Sequence, residues 1–182
     1  MNIFCVDMDP VTSAAALVDR HVVKMILEST QLLHLAHSIL GGPPKPEFFW
    51  RDSLAWQHHP CAKWVRSSLS NYKWLAAHNV ALCDEYTYRY GKKHKVRLDG
   101  IDLWLLEHDP YLKDVGLTPF AEATGDIHTD DPILTYRKYY LECKRHLMVW
   151  TRREPPEWIV ETLQLVKKRN RWALAEANIM AK

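Results

Sequence analysis

The sequence has no long apolar run and no closely spaced cysteines, and each absence narrows the kind of protein that it can encode. No stretch of about 18 consecutive apolar residues is present, so no segment is predicted to span a membrane. We expect no signal peptide, because no charged and apolar leader pattern precedes the first structured segment. The four cysteines form no Cys-x-x-Cys pair and are expected to be reduced thiols in a cytoplasmic protein.

Metal ligands at recognised spacings are also missing. The chain has ten histidines, yet His34 and His37 stand three residues apart with no third ligand at a fitting distance along the sequence. His58 and His59 are adjacent and directly precede a predicted helix. We therefore predict neither a bound metal nor a cofactor.

What the chain does have is enough apolar and aromatic surface for one well-packed core. Its 182 residues are 47% hydrophobic and include eight Trp and eight Tyr, which suits a single domain over residues 1–182. Charge is distributed unevenly. Residues 132–182 hold eleven Lys/Arg and five Asp/Glu, a net charge of +6, while residues 1–131 hold thirteen and seventeen, a net charge of −4. A basic C-terminal part favours contact with phosphate, although solvated helix surface gives the same pattern.

Apolar residues recur at helical spacing along most of the chain, and no sheet pattern is found. We predict an all-α, compact helical bundle preceded by a short N-terminal extended segment or strand over residues 2–6. A first helical stretch should begin at Pro10 or Thr12 and end at Leu40 before Gly41.

The remaining helices are bounded by proline and glycine signals. The predicted elements are a helical region from Pro60 to Gly91 with a break near Ser70, a short helix over 101–107, an irregular loop over 109–131, a helix from Asp131 to Trp150, and a last helix after Pro156. Phe48, Phe49, Trp50 and Trp56 should pack against the body, and the basic run 167–171 is a candidate for phosphate contact.

One stripe of polar residues stands out on the helix that ends at Leu40. His21, Lys24, Glu28 and Gln31 share a strip less than a quarter-turn wide, whereas apolar residues cover nearly all the rest of the helix. A helix that is apolar almost all round is normally buried. The stripe therefore either contains an internal Lys24–Glu28 pair at i,i+4 spacing or lines a cleft, where it supplies a base, a nucleophile and an acid.

The same region resembles the pyrimidine-dimer DNA glycosylase family of the phage endonuclease V type. The resemblance rests on Asp19, His21 and Glu28, which reproduce an Asp-x-His-x6-Glu helix shortly after an N-terminal extended segment. Such proteins are compact helical bundles that flip a base out of the duplex. They attack the sugar C1′ with the N-terminal α-amine and use the helix carboxylate to stabilise the imine. The resemblance therefore implies that Glu28 is that carboxylate and His21 its neighbour.

The residues leave the identity of the nucleophile open. The family exposes its amine by removing the initiator methionine before a small residue, whereas Asn2 is large enough that we expect Met1 to be retained. The amine would then belong to Met1, or Lys24 would attack, or the lyase step would be absent. An α-amine has an ordinary pKa of about 7.8 and a lysine about 10.4, which favours Met1 over Lys24.

The family's arginines on this helix are replaced here by Leu27 and Gln31, so phosphate contact must come from elsewhere. The candidates for binding substrate in the same cleft are Asn2, Gln31, His59, Arg66, Asn71, Tyr72 and Arg89. Basic residues interleaved with aromatic ones are typical of a nucleic-acid face, and the candidates for binding DNA are Lys92, Lys93, Arg137, Lys138, Tyr140, Lys144 and Arg145.

These observations favour a DNA-acting enzyme that excises a flipped, damaged or modified pyrimidine, either as a simple glycosylase or with an imine-forming lyase step at abasic sites. Duplex DNA is the expected partner. Two alternatives stay open. One is a phage enzyme that modifies a thymine or nucleotide on the same scaffold, and the other is a non-catalytic nucleic-acid-binding protein whose polar stripe is structural.

Overall fold

Helices and loops make up the whole described structure, so the predicted all-α class is confirmed. The computed structural model describes residues 1–46 and 54–165. In those ranges no strand is present, and residues 1–6, predicted to be an extended segment or strand, are irregular and contain a residue of positive φ at Phe4. The chain divides into two units, Met1–Arg152 and Arg153–Lys182, and a single domain over the whole chain stays a prediction.

The predicted first helix is two helices. Helix α1 spans Pro10–Ala16 and begins with Pro10 at its first position and Asp9 as its cap. Helix α2 spans Asp19–Leu40 and ends at Gly41 as predicted. The break between them was not predicted. The buried guanidinium of Arg89 stabilises this break, because it donates to the carbonyl oxygens of Ala15 and Leu17 at 2.9 Å each.

The second helical region also has a break, but at a different place from the predicted one. Helix α3 spans Pro60–Val65 and helix α4 spans Leu69–Tyr90, with Gly91 in the left-handed conformation at its end. The break near Ser70 was therefore predicted too late. Asp114, from a distant loop, accepts hydrogen bonds from the Ser68 and Ser70 side chains and fixes the start of α4.

The rest of the first unit is shorter helices and one long loop. Helix α5 spans Lys95–Leu98, α6 spans Ile101–Glu107 as predicted, α7 spans Pro132–Cys143, and a 3-10 turn spans Arg145–Leu147. Residues 109–131 are irregular, as expected. The prediction of a continuous helix to Trp150 was wrong, because Trp150 turns back and donates its indole N–H to the Ala16 carbonyl oxygen at 3.0 Å.

The core of the first unit forms where α4 packs against α1, α2 and α6. The N-terminal segment is part of that core, since Ile3, Phe4, Cys5 and Val6 are all buried. Every helix in the described part of the chain is too short or too polar to cross a membrane. All four cysteines are free thiols.

In the second unit, residues 157–165 are helical, in agreement with the predicted last helix. The basic run 167–171 and the aromatic residues Phe48, Phe49 and Trp50 lie outside the described residues. Trp56 is 58% exposed, so the expectation that it packs against the body was wrong.

A buried charge cluster fixes the beginning of α2. Arg89 pairs with the carboxylates of Asp19 at 2.8 Å and Glu85 at 2.6 Å and is only 1% exposed. Asp19 in turn accepts hydrogen bonds from the backbone N–H of Thr151 at 2.9 Å and from its hydroxyl at 2.7 Å. The cluster therefore links α1, α2, α4 and the segment after α7 through one arginine.

We predict that Arg89→Met lowers the free energy of unfolding by about 3–5 kcal/mol, because the buried Glu85 carboxylate and the partly buried Asp19 carboxylate would lose their common cation. Chemical denaturation followed by circular dichroism measures the change. The control is Arg20→Met on the exposed side of α2, which should change the stability by at most about 0.5 kcal/mol. Equal stability of the two variants would contradict the prediction.

Candidate active site around Glu28

The carboxylate of Glu28 holds the beginning of the chain. Its Oε2 accepts a hydrogen bond from the backbone N–H of Asn2 at 2.9 Å, and its Oε1 pairs with the Nζ of Lys24 at 3.2 Å. The Glu28 side chain is 12% exposed and that of Lys24 is 67% exposed. Glu28 therefore sits at the boundary between the core and solvent, in contact with the first peptide bond of the chain.

Asn2 reaches Glu28 because its own side chain shapes the N-terminal turn. The Asn2 Oδ1 accepts hydrogen bonds from the backbone N–H groups of Ile3 at 2.8 Å and Phe4 at 3.1 Å, while its Nδ2 donates to the Ala123 carbonyl oxygen at 2.9 Å. Phe4 adopts a positive φ of 46°, a conformation that a bulky residue keeps only when its surroundings impose it. The N-terminal turn is thus fixed by bonds within itself and by the bond to Ala123.

Aromatic rings fasten the same segment to α2 and α7. The Phe4 ring stacks on the His21 imidazole with centroids 4.1 Å apart, and it also contacts Tyr139 and Tyr140. The His21 Nδ1 lies 2.5 Å from the Tyr140 hydroxyl oxygen. These contacts hold the N-terminal segment against α2, one turn or more before Glu28.

His21 is therefore placed behind the N-terminal segment. Its side chain is buried, and burial, with smaller contributions from the charges of Lys144 and Lys24, lowers its pKa to about 4. At neutral pH the imidazole is uncharged. In this position His21 supports Phe4, and it is less accessible to a substrate than Glu28 is.

The start of α3 closes the site from another side. The Cys61 backbone N–H donates to the His59 Nδ1 at 3.2 Å, and the Cys61 thiol contacts the backbone of Ile3 and the Tyr136 side chain. Burial lowers the pKa of His59 and raises that of Cys61 to about 11, and the positive charge of the chain's α-amine acts on both groups in the lowering direction. The Glu28 carboxylate acts on His59 in the opposite direction, so the α-amine, Glu28 and His59 are close enough to interact electrostatically.

The polar stripe on α2 combines features of both structural expectations. The Lys24–Glu28 pair is present, yet Lys24 is in solvent and Gln31 is half-buried. Val23 and Leu27 on the same side are also exposed. The expectation that α2 is buried almost all round was wrong, since the side that carries Glu28 faces outward and is accessible to a ligand.

Several residues predicted to bind substrate or DNA lie in the core. Asn71, Tyr72, Arg89 and Tyr140 are at most 1% exposed. Asn71 donates to the Trp64 carbonyl oxygen, and the Tyr72 hydroxyl to that of Leu105. Burial and these internal bonds contradict a direct contact with DNA. The burial of these four side chains depends on tertiary packing, which the sequence pattern does not reveal.

Two predicted phosphate ligands are used to hold backbone. Arg66 donates to the Gln57 carbonyl oxygen at 2.6 Å. Arg137 donates to the Val6 carbonyl oxygen at 2.9 Å and also contacts Asp7. Arg137 thus anchors the far end of the N-terminal segment.

The remaining predicted basic residues are accessible. Lys92, Lys93, Lys138 and Arg145 are exposed, whereas Lys144 is half-buried with its Nζ 5.0 Å from the centre of the Tyr139 ring. Lys24 and Lys144 both act on His21, from α2 and from the end of α7. Together with Tyr139 they form a basic and aromatic rim close to the N-terminal segment.

Sequence reasoning missed the residues that build the site from a distance. Phe4, Cys61 and the carbonyl group of Ala123 carry no motif, and only tertiary contacts bring them to the N-terminal segment. Asp19 was noticed as part of the motif, but its structural bond to Arg89 was not predicted. Within the described ranges, no group of three or more His, Cys, Asp or Glu residues is positioned to hold a metal ion.

The fold and the site define an all-α protein in which a carboxylate on a long helix faces the amino end of the chain. A model of the pyrimidine dimer DNA glycosylase family matches residues 1–98, more than half of the 182 residues. The chain therefore belongs to this family of DNA glycosylases, whose substrate is DNA. No curated protein and no solved structure matches the chain.

We predict that the stability of the protein falls as the pH drops from about 6.5 to about 4, in part because of His21. Its pKa in the folded state is lowered to about 4, whereas the ordinary value is about 6.5. Between these values the unfolded chain binds a proton that the folded protein does not, so the stabilising effect is complete above about 6.5 and is lost as the pH falls.

The measurement is the free energy of unfolding as a function of pH for the wild type and for His21→Gln. The variant should lose up to about 1.4 kcal/mol per pH unit of the wild-type slope in this window. The control is His58→Gln, at an exposed histidine next to the α3 cap, and this variant should keep the wild-type slope. A His21→Gln slope equal to the wild-type one would contradict the assignment.

Proposed function

We propose that the protein removes a damaged or modified pyrimidine from duplex DNA by covalent attack of its N-terminal α-amine, with Glu28 as the proton-accepting carboxylate. The observation that supports this most directly is the 2.9 Å hydrogen bond from the Asn2 backbone N–H to the Glu28 Oε2. It holds the start of the chain at a carboxylate that solvent can reach. Membership of the glycosylase family supports the reaction class.

The α-amine fits the role of nucleophile better than Lys24 does. Lys24 is 67% exposed and its Nζ pairs with the Glu28 carboxylate, and an ammonium in an ion pair has no free electron pair with which to attack. The nitrogen in contact with Glu28 is that of Asn2. While Met1 is present this nitrogen is an amide, and the attacking amine is the one on Met1; if Met1 is removed, the amine of Asn2 takes that place.

The reaction is a substitution at the sugar C1′. The amine's electron pair forms the new C–N bond, the bond from C1′ to the base nitrogen breaks, and its electron pair leaves with the base. The amine's proton passes to Glu28, and the departing base takes a proton from water. The nitrogen's remaining electron pair then forms a double bond to C1′ while the bond from C1′ to O4′ breaks, and O4′ takes the proton from Glu28, which gives a protonated imine. Strand cleavage at the abasic site can follow from it.

The flipped nucleotide would approach from the outward side of α2. Lys24, Lys144 and Tyr139 line that approach with two cations and a ring, a combination that suits phosphate contact and base stacking. The exposed residues Lys138 and Arg145 extend the same basic character along the end of α7.

Glu28→Gln is expected to reduce base excision at least about 100-fold while leaving DNA binding within about threefold of wild type. The amide keeps the shape and one acceptor oxygen but cannot take the proton from the amine. The assay is single-turnover excision on duplex DNA containing a pyrimidine dimer, with borohydride added in parallel to trap an imine.

The matched control for that experiment is Glu107→Gln, on the exposed end of α6, which should keep full activity. Trapped adduct from the wild type and none from Glu28→Gln supports the proposal. Undiminished excision by Glu28→Gln would remove the carboxylate from the mechanism, and tight binding without any turnover by the wild type would support the non-catalytic alternative.

Lys144→Ala should weaken binding to duplex DNA and reduce the slope of log K against log salt by about 0.9, the value of one phosphate contact. Fluorescence anisotropy at several salt concentrations gives both numbers. Lys113→Ala, an exposed lysine of the loop before α7, is the control and should leave the slope unchanged. If the two variants behave alike, the end of α7 does not contact the DNA backbone.

A further inference from the structure

His59 is held in one protonation form by the helix that it caps. Its Nδ1 accepts the backbone N–H of Cys61 at 3.2 Å, which is the N-terminal cap of α3. A ring nitrogen that accepts a hydrogen bond carries no hydrogen, so the neutral imidazole bears its hydrogen on Nε2. Adding a second proton at Nδ1 would break the cap. His59 is therefore a hydrogen-bond donor through Nε2 and is not free to act as a base.

The ring lies beside the groups proposed to react. Cys61, two residues further on, contacts the backbone of Ile3, and Ile3 adjoins the Asn2 nitrogen that is bound to Glu28. Burial and the α-amine both lower the pKa of His59, and the Glu28 carboxylate has a smaller, opposite effect. The amine and Glu28 are thus both within electrostatic reach of this imidazole.

The turn before α3 holds the His59 ring in place. The backbone N–H of His59 donates to the Trp56 carbonyl oxygen at 2.9 Å. The indole of Trp56 and the imidazole of His59 meet edge to face with their centroids 6.3 Å apart. Trp56 is exposed and has a positive φ of 68°, a conformation that costs free energy and persists when surrounding contacts impose it. Arg66 fastens the turn through the Gln57 carbonyl oxygen.

We propose that His59 is a catalytic residue whose Nε2–H donates a hydrogen bond to the O2 carbonyl oxygen of the departing pyrimidine. This inference rests on the proposed function. When the bond between C1′ and the base nitrogen breaks, its electron pair spreads onto that oxygen. A neutral N–H at that oxygen stabilises the developing charge without transferring its proton, as donors of an oxyanion hole do.

The test uses His59→Asn. Asparagine is among the best N-cap residues, so α3 should keep its cap and the unfolding midpoint should stay that of the wild type. Its side chain is too short to place an N–H where Nε2 stands. We expect single-turnover excision of a pyrimidine dimer to slow about 100-fold or more, whereas cleavage of a duplex with a preformed abasic site, which has no base to release, stays within about twofold.

A second measurement is independent of any loss of stability. A substrate whose pyrimidine O2 is replaced by sulfur, a weaker acceptor, should lower the wild-type excision rate by a larger factor than it lowers that of His59→Asn. His58→Asn, the exposed neighbouring histidine, is the control and should match the wild type on all three substrates.

The outcomes separate this inference from the proposed function. Excision by His59→Asn at the wild-type rate overturns the inference, and so does equal slowing of excision and abasic-site cleavage, which would mean that His59 only positions the amine or Glu28. Absence of excision by the wild type overturns the proposed function itself, and the inference with it.

Discussion

The hydrogen bond between the backbone of Asn2 and the carboxylate of Glu28 is the contact on which the candidate site depends. A chain terminus is ordinarily mobile because few contacts hold it. Here the segment behind it is buried, its turn is closed by the Asn2 side chain, and its first peptide bond meets a carboxylate on α2. The terminus is thereby converted into a fixed part of the protein, as covalent catalysis by an α-amine requires.

Each residue of the Asp-x-His-x6-Glu pattern on α2 has a different physical task. Asp19 is bound to the buried Arg89 and fixes where the helix starts. His21 is neutral and packs under Phe4, so it supports the N-terminal segment. Glu28, two turns further along, meets the terminus and solvent. One helix thus aligns an anchor, a support and the proposed reactive group, and a shift of its start would move all three.

The parts of the fold that local signals determine could be predicted from the sequence. Pro60 at a helix start, and Gly41 and Gly91 at helix ends, act within a few residues of themselves, and the structure has those boundaries. The break between α1 and α2 and the exact place of the break before α4 could not be predicted, because Arg89 and Asp114 act on residues more than 40 positions away in the sequence. The end of α7 could not be predicted for the same reason, because the contact of Trp150 with Ala16 in α1 joins distant parts of the sequence.

The candidate site was predictable to a similar extent. Spacing on one helix was enough to find Glu28, and charge was enough to suggest the basic end of α7. Burial is a property of the packed molecule, so the sequence could not show that Asn71, Tyr72 and Arg89 lie in the core. The contact between Cys61 and Ile3 joins two segments with no common motif and was equally out of reach.

The central claim is that the amine at the beginning of the chain, next to the Asn2 nitrogen that binds Glu28, is the group that attacks DNA. Peptide mapping by mass spectrometry of a borohydride-trapped complex tests it most directly, because the modified peptide identifies the nitrogen. The account predicts that the sugar remnant is found on the N-terminal amine of the first peptide. A remnant on the side chain of Lys24, with the N-terminal amine unmodified, would contradict it.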